Sequence, residues 1–77
     1  MTQETLDLRG LKCPLPALMT RRHLARLAPG ARLLVLADDP LAVVDIPHMC
    51  GQEGHGLLAA HKRDGHHAFD IQAGGPG

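Results

Sequence analysis

The chain has no tryptophan and no tyrosine, and Phe69 is its single large aromatic residue. A protein that grips nucleic acid by stacking bases needs several exposed rings, so that binding mode has almost no material here. Net charge is missing too: eight Lys and Arg cancel eight Asp and Glu. No overall field draws the chain to a phosphate backbone or an anionic membrane. No apolar run approaches the roughly 18 residues of a membrane-spanning helix. The polar start Met-Thr-Gln-Glu reads as no signal peptide. Two cysteines in 77 residues make no disulfide framework, and the expectation is a cytoplasmic protein with free thiols.

What is present is the material of one small globular domain. Hydrophobic residues make up 44% of the chain, above what a disordered segment carries. A folded chain of this size buries about 60% of the surface its unfolded form exposes. Its core has to be built from Leu, Ile, Val, Ala and Met. Residues 1–72 read as that single domain, and residues 73–77, Ala-Gly-Gly-Pro-Gly, as a flexible tail.

The patterning gives six elements. Thr5 to Arg9 alternates leucines with charges and predicts a strand ended by Gly10. Leu11-Lys12-Cys13-Pro14-Leu15-Pro16 opens a helix, with Pro14 at its first position and Cys13 as the cap. Ala17, Leu18, Leu24, Ala25 and Ala28 share one helical face, and Pro29-Gly30 stops the helix. The apolar run within Arg32–Ala37 predicts a central strand covered on both faces or nearly so. Asp38-Asp39-Pro40 repeats the helix-start grammar, and Ala42, Val43, Ile46, Met49 and Cys50 fall on one face. Pro47 predicts a kink there or two abutting short helices. Leu57–Lys62 and His66–Ile71 flank Asp64-Gly65 as a hairpin. The order βαβαββ predicts an α/β (α+β) two-layer sandwich, with a four-stranded mixed sheet and both helices on one face.

The segment from Leu6 to Pro16 resembles the CPxP signature of the TusA/SirA-like sulfur-carrier proteins. Asp38-Asp39-Pro40, Asp45-Ile46-Pro47 and Gly54-His55 are similar to the second half of the same pattern, and the likeness spans roughly residues 5 to 72. The resemblance implies that Cys13 carries sulfur as a persulfide between a cysteine desulfurase or rhodanese and a downstream acceptor protein. It implies no separate cofactor, since the sulfur rides covalently. Members of the family serve tRNA thiolation, molybdenum-cofactor assembly or sulfur oxidation, and some are linked to selenium metabolism. The family often has Lys where this chain has Arg21.

Read from the residues alone, Cys13 sits at a helix N-terminus, beside Lys12 and near Arg9. All three features favour thiolate over thiol. Pro14 and Pro16 shape the turn, and Pro16 removes one amide that a cap side chain would use, leaving the Leu15 N–H for the sulfur. A buried structural cysteine is the alternative. Cys50, on the apolar stripe of the second helix, reads as a core residue, with a resolving thiol for Cys13 as its functional alternative.

Six histidines raise the question of a metal. His48 and Cys50 point about 200° apart on a helix, and His66 and His67 face opposite sides of a strand, so no metal site is expected. His55 reads as capping the turn before the third strand. Arg21 interrupts the apolar face of the first helix and reads as snorkelling at the sheet edge. With Arg22 and Arg26 it also forms a candidate basic docking surface for an acidic partner or RNA phosphate.

Four functions follow from different classes. The leading one is a sulfur relay, more carrier than enzyme, because the sequence places no second catalytic group near Cys13. The second is a non-catalytic binding or regulatory module whose CPxP is only a helix cap. A carrier activated at Gly74-Gly75 would need Pro76-Gly77 trimmed away. An RNA-binding reading rests on likeness to a translation-factor domain, and neutral charge and aromatic poverty argue against direct nucleic-acid binding.

Overall fold

The computed structural model describes residues 3–74. It contains β1 (Glu4–Asp7), α1 (Leu15–Ala25), β2 (Arg32–Ala37), α2 (Ala42–Glu53), β3 (Gly56–Arg63) and β4 (His66–Gln72). The predicted βαβαββ order is therefore observed. The sheet order is β1-β2-β4-β3, so the last strand inserts beside β2 and the third is left at the edge. β1 runs parallel to β2, with Leu6 opposite Val35, and the other pairings are antiparallel. Gly65, at φ 76°, supplies the left-handed residue of the Asp64-Gly65 hairpin.

One face of the sheet carries the core. Leu33, Val35 and Ala37 alternate inward along β2, and Phe69 and Ile71 of β4 stand opposite Val35 and Leu33. Against them pack Leu24 of α1 and Ile46, Met49 and Cys50 of α2. The other face of β2 is half-covered: Leu34 and Leu36 remain partly exposed. The expectation of cover on both faces fails because two helices suffice for only one layer, and the open face carries the Arg32–Asp70 ion pair instead.

The helices correct three further expectations. The face that α1 buries is Pro16, Thr20 and Leu24, whereas Ala25 and Ala28 are exposed. Thr20 is fully buried because its hydroxyl donates to the Pro16 carbonyl at 2.7 Å, which makes a polar side chain tolerable in the core. α2 is one helix through Pro47, which rules out the two abutting short helices, one of the two forms predicted there. The proline removes only the hydrogen bond to the Val43 carbonyl, on a residue 41% exposed where water can take its place. Val43 accordingly lies outside the buried stripe of Ala42, Ile46, Met49 and Cys50.

Ala73 belongs to the fold rather than to a tail. It is buried, donates its N–H to the Ala31 carbonyl at 2.8 Å and accepts from Gly30 at 2.7 Å. The next N–H, of Gly74, donates to His55 Nδ1 at 3.0 Å. His55 thus ties down the end of β4, and a side chain at Gly74 would collide with the Gly54 carbonyl. The rest of the predicted tail, residues 75–77, lies outside the described residues.

Candidate functional site

β1 and β2 are parallel, so the segments leaving their C-terminal ends, each leading into a helix, emerge on the same side of the molecule. That is where open α/β sheets place their sites. The first segment, Leu8 to Pro14, is held by the second. Gly10, at φ 91°, donates its N–H to both Asp38 carboxylate oxygens, at 2.9 and 3.0 Å. The Cys13 N–H donates to Asp39 Oδ2. Asp39 is only 6% exposed, and its other oxygen accepts the Leu41 N–H at 3.3 Å. A buried carboxylate facing two backbone donors is a satisfied one, and it staples the loop of one helix to the start of the other.

Cys13 itself is exposed. The cap of α1 is Pro14, and the helix starts at Leu15, so Cys13 lies just outside the helix rather than at its cap. The Cys13–Pro14 peptide bond is cis. Pro16 occupies the first turn, where a missing N–H is harmless. The Leu15 N–H goes to the Lys12 carbonyl at 2.9 Å and is not available to the sulfur. The thiol donates instead to Asp45 Oδ2 at 3.0 Å, reaching the first turn of α2.

This contact reverses the expected electrostatics. The hydrogen bond to Asp45 pushes the Cys13 thiol above its ordinary range, and loss of water and the charges of Asp45 and Asp39 push the same way. Arg9 does not oppose them, because its guanidinium is engaged in a two-pronged pair with Asp7 at 2.7 and 2.9 Å. That pair, chiefly through its side-chain hydrogen bond, holds the Asp7 carboxyl at about 2. Lys12 is exposed beside the cysteine and makes no ion pair among the described residues. A helix N-terminus amounts to about half a charge and weakens beyond the first turn. A full carboxylate in contact with the sulfur outweighs it.

The starts of both helices expose apolar side chains. Leu15 and Met19 on α1, and Leu41, Val43 and Val44 at the start of α2, are exposed, Val44 to 65%. Pro14, Ala17, Leu18, Arg21 and Met49 line a shallow open groove between the helices. Arg21 therefore lies at the helix–helix groove and not at the sheet edge. Arg22 and Arg26 are exposed as well, Arg22 near the end of α1 and Arg26 at its C-cap.

Cys50 is 1% exposed, and burial pushes its thiol up to about 11. It is the core residue the sequence suggested. The histidines are dispersed: His23 contacts Glu4, His66 the Asp64 carbonyl, His67 stacks on Phe69, and His55 holds Gly74. Sequence reasoning missed the roles of Asp39 and Asp45 at the sulfur. Their signal was present as two acid-and-proline segments echoing the CPxP turn, but nothing local connects them to a cysteine in another loop.

The chain is similar to known proteins over nearly its whole length. The family model described as Sulfurtransferase TusA matches residues 4–73. Two chains of Neisseria meningitidis, from a serogroup A and a serogroup B strain, each named "Putative sulfur carrier protein", are 46% identical over 72 residues, covering 94% of this chain and 97% of theirs. The crystal structure of a SirA-like protein from Desulfitobacterium hafniense superposes with a TM-score of 0.82 at 27% identity, covering 92% of this chain and 97% of that one.

Proposed function

This chain belongs to the TusA sulfurtransferase family, and on that premise we propose that Cys13 carries sulfane sulfur as a persulfide from a cysteine desulfurase or rhodanese-type donor to a downstream acceptor protein. The observation that carries this reading is the exposed Cys13 sulfur on a loop whose backbone is stapled by Asp38 and Asp39. A nucleophile that hands cargo between proteins has to be reachable while its backbone stays in place. The exposed apolar side chains at the helix starts and Arg21 in the groove beside Pro14 supply surface for a partner to cover. Arg22 and Arg26 add positive charge for an acidic partner.

In the transfer, a Cys13 lone pair attacks the outer sulfur of the donor's persulfide. A new sulfur–sulfur bond forms at Cys13 and the donor's bond breaks. The bonding pair leaves on the donor cysteine, which takes up the Cys13 proton. Nothing is oxidised or reduced overall, so the sulfur itself is the cargo and no cofactor is required. Free thiols of this kind suit a reducing, cytoplasmic setting. No helix among the described residues is long and apolar enough to cross a membrane.

The test incubates the protein with a cysteine desulfurase and cysteine and reads intact mass. Wild type gains one sulfur, and Cys13→Ser gains none. No gain from a desulfurase or a rhodanese would overturn the reading in favour of a binding module.

A further inference from the structure

Three aspartates surround the Cys13 loop, and they are used differently. Asp38 and Asp39 direct their oxygens to backbone amides. Among the described residues, the Asp45 carboxylate has one hydrogen-bond partner, and it is the reacting sulfur. We propose that Asp45 is a second catalytic residue of this carrier, whose carboxylate, 3.0 Å from Sγ, restrains the empty Cys13 as a slow-reacting thiol and restrains the sulfur-loaded form less.

The proposal rests on the persulfide reading above and deepens it. The thiolate is the nucleophilic form of cysteine, and an anion in contact with the sulfur disfavours a second anion there. The other charged and titratable groups facing the loop come from every neighbouring element. Arg9 is held by Asp7, and Lys12 is exposed in the loop itself. Arg21 of α1 lies in the groove beside Pro14. Asp38 and Asp39 enter from the β2–α2 connection, and His48 stands exposed one turn along α2 from Asp45. Of these, Asp45 alone touches the sulfur through its side chain.

Loading changes the balance twice over. The terminal sulfur of a persulfide lies one sulfur–sulfur bond, about 2.05 Å, beyond Sγ, and can turn away from the carboxylate. A persulfide is also intrinsically more acidic than its parent thiol. The loaded sulfur thus ionises at neutral pH while the empty thiol stays protonated. The loaded sulfur is then the faster nucleophile of the two, while the empty thiol takes up sulfur slowly and resists oxidation and mixed disulfides.

The experiment needs no partner protein. Sulfur is loaded from inorganic polysulfide: Cys13 attacks a chain sulfur, one polysulfide bond breaks, and the shortened polysulfide takes the bonding pair and the thiol proton. Alkylation of empty and loaded protein by iodoacetamide is then followed against pH, with each cysteine resolved by peptide mass. Asp45→Asn keeps the shape and an acceptor oxygen but removes the charge.

In wild type, the empty Cys13 should titrate above the ordinary thiol value of about 8.5. Asp45→Asn should lower that midpoint and speed alkylation of the empty form at pH 7 by about 3- to 10-fold, since a midpoint lower by about one pH unit gives tenfold more thiolate. The loaded form should change less than about 2-fold. A wild-type midpoint at or below 8.5 overturns the proposal without any variant. So does an Asp45→Asn rate that is unchanged or slower, or an equal gain in both forms. Cys50 reports folding, because it is alkylated only if the core opens; should Asp45→Asn unfold, the wild-type titration and Asp45→Glu decide. A Cys13 that takes sulfur from polysulfide but from no protein donor overturns the carrier reading and leaves the restraint by Asp45 standing.

Discussion

The surroundings of Cys13 and those of Cys50 raise both thiols above their ordinary range, for opposite reasons. Cys50 lies inside the core beneath α2, where burial alone favours the uncharged form and pushes its thiol up to about 11. Cys13 is exposed and is held protonated first by a hydrogen bond to a neighbouring carboxylate. The two causes are not equivalent for chemistry. Desolvation cannot be lifted without opening the core, so Cys50 is inert as long as the protein is folded. A neighbouring charge acts only while it is there and close. Its effect changes when the sulfur lengthens or the charge is removed. An exposed, charge-controlled thiol can therefore be quiet and still usable.

Three changes would break or sharpen that contrast. The largest stability effect is expected from Asp39→Ala on the Cys13 side. It leaves the Cys13 N–H without its partner and removes the Leu41 contact. Loss of a buried charged acceptor from two backbone donors should cost about 2 kcal/mol, read as a lower urea midpoint. Cys13 alkylation should become less uniform as the loop loosens, while Cys50 stays protected.

On the other side, Cys50→Ser should cost about 1–2 kcal/mol, because a more polar hydroxyl replaces a thiol in the buried cluster with Ile46, Met49 and Phe69. Sulfur loading at Cys13 should survive in this variant. A stable Cys50→Ser that no longer releases sulfur would make Cys50 a resolving thiol and end the contrast.

The smallest effect is in the pH dependence. Unfolded, Cys50 ionises near its ordinary value of 9.0, whereas folded it holds its proton to about 11. The folded state binds more protons in between. The contribution is complete below pH 9 and is lost as pH rises towards 11, with a slope of at most about 1.4 kcal/mol per pH unit. Urea midpoints at pH 8 and 10.5 should fall further in wild type than in Cys50→Ala. Cys13 is common to both proteins and cancels.

Much of the fold was legible because it depends on local rules. Two helix starts marked by proline, alternating or apolar strand runs and an Asp-Gly turn each act over a few residues, and each element appeared, although α1 begins one residue after Pro14 and α2 two residues after Pro40. The errors lie where one element depends on another. Thr20, absent from the expected apolar face, is buried because the Pro16 carbonyl accepts its hydroxyl. Ala25 and Ala28 read as core until the direction of α1 against the sheet is fixed. Ala73 reads as tail until it pairs with Gly30 and Ala31.

The sequence by itself determined the element order, the placing of a cysteine in a proline-fixed turn, and the burial of Cys50 on an apolar stripe. These follow from backbone stereochemistry and side-chain periodicity, which act within a few residues. Only the tertiary structure decided which charges meet the sulfur. Lys12 and Arg9 are near Cys13 in the chain, yet Arg9 is paired with Asp7, while Asp39 and Asp45 arrive from the segment after β2. Parallel pairing of β1 with β2 brings the two helix starts together, and an electrostatic field depends on distance in space rather than on distance along the chain.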